Sequence, residues 1–146
     1  MKIPTLDELI SRGDIKPFQP QKEEIASLLK IAERDLKVAE KNFSSHSLDW
    51  SLAISYNCVL QAARAWMMFK GFRPSYGEGH TVVIHFAINT LGRSFGREID
   101  SLDSLRKKRH STVYEVAGEV TEYEATFAIK IAKKFLEFIK KKTGGD

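Results

Sequence analysis

Cysteine occurs once in 146 residues, as Cys58. A lone cysteine excludes an internal disulfide. Its neighbours Val59, Leu60, Ala62 and Ala63 mark an inert core thiol, not a nucleophile. No uncharged apolar stretch reaches the roughly 18 residues that a membrane-spanning helix requires. Asp7, Glu8 and Arg12 fall within the first turns and exclude a secretory apolar segment there, so a cytoplasmic location is expected. The four histidines offer no ligand set. His80 and His85 are five apart, where a helix needs three or four, and no cysteine or carboxylate completes a site. Neither metal nor cofactor is expected. Gly77-Glu78-Gly79-His80-Thr81 lacks the Gly-Lys-Ser/Thr ending of a phosphate loop and follows a helix instead of a strand. Internal repeats, low-complexity segments and alternating strand patterns are also missing.

What remains is the composition of an ordinary globular chain, 42% hydrophobic and 29% charged. Its net charge of +4 is unevenly placed. Residues 1–50 carry 8 Lys+Arg against 9 Asp+Glu, and residues 51–146 carry 15 against 10. That excess is too mild for a protein that coats DNA, but it suits a local anion site or an acidic partner. Basic residues gather at Arg93, Arg97 and Arg106 to Arg109. A second group, Lys140 to Lys142, complements a helix C-terminus.

Hydrophobic spacing predicts an all-α, up-and-down bundle of four to five helices preceded by a short helical arm. The arm is residues 1–20: Thr5-Leu-Asp-Glu8 is a capping box, Gly13 a stop, and Pro17 and Pro20 mark an extended connector. The bundle is residues 21–143. Its first helix, about 21–43, keeps Ile25, Leu28, Leu29, Ala32, Leu36, Ala39 and Phe43 on one face. Asp49 is placed to cap the second, about 50–70, which stops at Gly71 and is apolar nearly all round. Such a helix is central, covered by the others or by a second subunit. Arg64 interrupts it and calls for a carboxylate. A third helix runs from about His80 to Leu91, with Val82, Val83, Phe86 and Ala87 inward. Gly92 to Gly96 is a break, and Glu98 or Leu102 to Val116 is the fourth. Thr121-Glu-Tyr-Glu124 then caps a last helix, 122–142, burying Ala125, Phe127, Ala128, Ile131, Ala132, Phe135, Leu136 and Ile139.

The segment from Leu102 to Val116 holds the sharpest anomaly. Ile99, Leu102, Leu105, Val113 and Val116 form a stripe that is interrupted where the period reaches Arg109. A guanidinium on a buried face is costly unless it meets an anion and hydrogen-bond acceptors. Arg106, His110 and Tyr114 follow one another at i, i+4 and i+8 along the adjoining edge. Arg106 and Arg109 are therefore candidate phosphate or nucleic-acid contacts. The plainer alternatives are long basic side chains reaching water, or a structural ion pair of Arg109 with Asp49 or Asp103.

The order of these words resembles the HEPN-domain family over residues 22–142. The resemblance is carried by Asp49-Trp50 through Ala62-Ala63-Arg64-Ala65 to Lys70-Gly71, and by the loop into the helix at His80. Leu105-Arg-Lys-Lys-Arg-His-Ser-Thr-Val-Tyr114 and a final Ala- and Phe-rich helix complete it. It implies a helical homodimer that binds RNA, a nucleotide or a nucleotidyltransferase partner, as in toxin–antitoxin systems. Many members are metal-independent endoribonucleases whose signature is an Arg, a polar residue and a His four to six positions after the Arg. Arg109 and His110 match the first two, and Tyr114 stands where the catalytic His is expected. The candidate catalytic set implied is Arg109, His110 and Tyr114. A phenol with a pKa near 10 is a poor general base at neutral pH, so the expectation leans away from an enzyme. An active ribonuclease and a non-catalytic adaptor bundle are the alternatives.

Overall fold

Capping chemistry and apolar periodicity place the chain's helices. The computed structural model describes residues 3–77, 79–113 and 120–144, with the backbone alone described for 109–113. Five helices are found there: α1 (Leu6–Ser11), α2 (Lys22–Ser44), α3 (Leu48–Phe69), α4 (His80–Val113) and α5 (Glu122–Thr143). Both expected capping boxes form. Glu8 N donates to Thr5 Oγ1 and Thr5 N to Glu8 Oε1, and Thr121 and Glu124 repeat the pattern at α5. The all-α expectation holds, with α3 at the centre packing on α2, α5 and α4. No helix of the described residues is long and apolar enough to cross a membrane.

Three boundaries differ from the sequence reading. Ser47, not Asp49, occupies the N-cap of α3, and Asp49 lies in the first turn, where its charge favours the helix dipole. The extended connector is a strand, β1 (Ile15–Pro17), paired antiparallel with β2 (Phe72–Pro74) through the register Lys16↔Arg73. Strands of three residues, each holding a proline, are too short for alternation to reveal. The break over Gly92 to Gly96 contracts to a kink at Gly92 (φ 39°, ψ −108°) inside α4.

The core follows the periodicity closely. In α5, Ala125, Ala128, Ile131, Ala132, Phe135, Leu136 and Ile139 are buried, while Phe127 packs at the edge. The arm lies over the bundle with Leu9 and Ile15 buried. It is tied down where Asn89 Nδ2 donates to the Pro4 carbonyl.

Gly96 shows what the kink requires. A methyl group there would sit 3.0 Å from the Ile88 carbonyl oxygen, because the turn at Gly92 brings the two halves of α4 close. Gly96→Ala should therefore cost about 1–3 kcal/mol through overpacking, despite alanine's better helix propensity. Urea unfolding checks this. An unchanged or higher midpoint would mean that the halves are not held in contact.

Candidate functional site

The described end of α4 carries a buried polar cluster that joins it to α3. Tyr56 is buried on α3, and its hydroxyl needs a partner there. It donates to Asp103 Oδ1 at 3.0 Å. Asp103 is only 7% exposed, an acidic residue inside a bundle. Arg106 Nη2 reaches the same oxygen at 3.4 Å, and Lys107 Nζ lies 2.9 Å from Oδ2. One carboxylate thus answers a phenol and two cations. The Arg106 guanidinium also stacks over the Tyr56 ring, 4.5 Å from its centroid. Its Nε is buried without an acceptor among the described residues, a cost offset by the ring and the carboxylate.

These surroundings hold Tyr56 neutral. Burial foremost, and then the Asp103 charge, push its phenol well above the ordinary value; Arg106 opposes that in part. The cluster is a brace centred on the Asp103 carboxylate. Its effect is to fix Arg106, and with it the helical register of the next turn of α4.

Of the residues singled out by sequence, Arg106 is placed by its side chain. The backbone of Arg109 and His110 continues α4, but their side chains lie outside the described residues, as does Tyr114 entirely. Whether Arg109 pairs with Asp49 or Asp103 falls outside them too. Asp103 is braced by Tyr56, Arg106 and Lys107, partners that sequence reasoning missed. The available signal was a tyrosine within an otherwise aliphatic helix face, which implies an acceptor but not its position.

A second carboxylate is buried on α2, one that the sequence reading did not single out. Asp35, 6% exposed on α2, accepts from Asn57 Nδ2 at 2.7 Å and from Arg34 Nη2 at 3.2 Å. It lies beside Cys58, whose thiol is pushed up to about 12, chiefly by burial and then by the Asp35 charge. So high a value leaves no thiolate near neutral pH. His85 is shifted downward, by burial first and by Lys107 second. Among the described residues, no three His, Cys, Asp or Glu are placed to hold a metal.

The fold defines a class, an all-α bundle of antiparallel helices around a central α3. The sequence matches the HEPN domain over residues 25–142, and the chain belongs to the HEPN-domain family. No curated protein and no solved structure matches it.

The raised Tyr56 pKa fixes the sign of an alkaline effect. Above about pH 10 the unfolded chain releases this proton while the folded chain keeps it, so stability falls as pH rises. Tyr56→Phe should lower stability at neutral pH by about 1–2 kcal/mol and flatten the decline between pH 9 and 11. Unfolding measured across that range checks both. A decline as steep as in the parent protein would remove Tyr56 from the account.

Proposed function

We propose that this chain acts as a homodimer presenting the basic end of α4 to a phosphate-bearing partner. That partner is RNA or a nucleotide; otherwise the chain binds the nucleotidyltransferase of a toxin–antitoxin type pair. The carrying observation is the Arg106 guanidinium, held by Tyr56 and Asp103 one turn before Arg109. A cation fixed in advance loses little conformational freedom when it meets a phosphate. Membership of the HEPN-domain family, with its helical ribonucleases and nucleotidyltransferase partners, supports the same reading.

Dimerisation draws support from the outer face of α3. Trp50 is 63% exposed there, and Val38 on α2 is also exposed. Exposed tryptophan is enriched where proteins meet one another. The proposed role is binding, because Tyr114 stands at the family's histidine position and a phenol is a poor base near neutrality.

Binding of a short RNA, measured at two salt concentrations, tests the proposal. Arg109→Ala should weaken it about tenfold or more, reduce the salt dependence by about one phosphate contact, and leave the melting curve unchanged. Unchanged RNA binding together with unchanged retention of a co-expressed nucleotidyltransferase would reject the reading. A large fall in melting temperature with binding intact would favour the structural ion pair. EDTA-resistant cleavage that disappears in Arg109→Ala would make the protein a nuclease.

A further inference from the structure

The ribbon that ties the arm to the bundle has two unlike faces. Opposed residues of an antiparallel pair share a face, and the next pair along turns to the other side. Ile15 opposes Pro74 and is buried, so that pair turns inward. Lys16 opposes Arg73, and both are exposed, so this pair turns outward. Phe18 follows on the outward side, half-buried, with the Arg73 guanidinium over its ring at 5.4 Å from the centroid. Tyr76, just past β2, is 80% exposed. Lys70, the C-cap of α3, stands at the corner where the helix gives way to the ribbon.

Cations and rings thus share the outside of the ribbon. Across residues 14–18 and 70–76, Lys16, Lys70 and Arg73 stand against a single carboxylate in those segments that is described, Asp14. Such a surface suits a strand that offers phosphates and unstacked bases together. Phosphates answer the cations, while bases stack on aromatic rings or on a guanidinium plane. A duplex fits less well, because its bases are stacked inside it, whereas unpaired bases are exposed in RNA loops and ends. The surface is also ordered before anything binds. Phe18 N donates to Gly71 O at 2.8 Å and Ser75 N to Asp14 O at 2.9 Å, and Leu9 and Ile15 anchor the arm in the core. A preformed platform loses little conformational freedom on binding. The match to the HEPN domain begins at residue 25, so the β1 side of this surface lies outside it.

We propose that the outward face of the β1–β2 ribbon binds single-stranded RNA, with phosphates at Lys16 and Arg73 and a base stacked on Tyr76. The inference rests on the ribbon alone and is separate from the contact proposed at the end of α4.

Backbone amide NMR titration of the full chain with an oligouridylate of about eight nucleotides tests this. Saturable shifts are expected at Lys16, Phe18, Arg73 and Tyr76. They should persist in Arg109→Ala, which tells this contact apart from the one at α4. Tyr76→Ser should weaken binding at the ribbon about fivefold or more, the effect of losing one stacked base. Lys16→Gln combined with Arg73→Gln should lower the slope of log affinity against log salt by about 1.4, the share of two single-strand phosphate contacts. All three positions are exposed, so the melting curves should stay close to that of the parent protein. Absence of saturable shifts at the ribbon with about 1 mM oligonucleotide would overturn the proposal. Unchanged binding in both variants would do the same. Equal saturable shifts from an oligoglutamate would assign the surface to acidic peptides and overturn it as well.

Discussion

The hydrogen bond from Tyr56 to Asp103 is the constraint on which the distal half of α4 depends. α4 is 34 residues long and bends at Gly92, so its distal half must be positioned by contacts beyond the kink. Ile99 and Leu102 supply burial, but apolar packing alone tolerates small rotations and shifts of register. A buried carboxylate with three partners does not, because any slip leaves charge or hydroxyl unsatisfied in a poorly solvated place. The brace therefore specifies which way Arg106 points. That supplies orientation even if its net contribution to stability is small.

The proximal half of α4 is held by different means. Trp66 Nε1 donates to Thr90 Oγ1 at 2.8 Å, tying it to the end of α3, and Asn89 ties it to the arm. Val83, Ile84, Phe86 and Ala87 bury its inner face. The two halves of one helix thus answer to two sets of contacts, with Gly92 and Gly96 permitting the bend between them. The arm belongs with the proximal half, and the basic end with the distal one.

Helix positions were legible in the sequence because they depend on local chemistry. Both capping boxes formed as read, and the apolar face of α5 was recovered almost whole. The β1–β2 ribbon was not legible, since each strand is three residues long and the pairing spans the whole of α2 and α3. Asp49 looked like a cap because of its residue type, yet the chain enters α3 from a turn that puts Ser47 there. Asp35 and Asp103 were hidden for a related reason. A single acidic residue within a helix looks solvated until the partner from another helix is known, and Asn57 and Tyr56 are supplied by tertiary contact. The Arg109 anomaly was read from periodicity alone, and its side chain lies outside the described residues.

The chain belongs to the HEPN-domain family, and Arg106 on the distal half of α4 is held by Asp103 and Tyr56. The most direct test is a double-mutant cycle on folding stability with Tyr56→Phe, Asp103→Asn and the pair. A coupling energy of about 1 kcal/mol or more between the two positions is predicted. Strict additivity of the two single changes would contradict the brace.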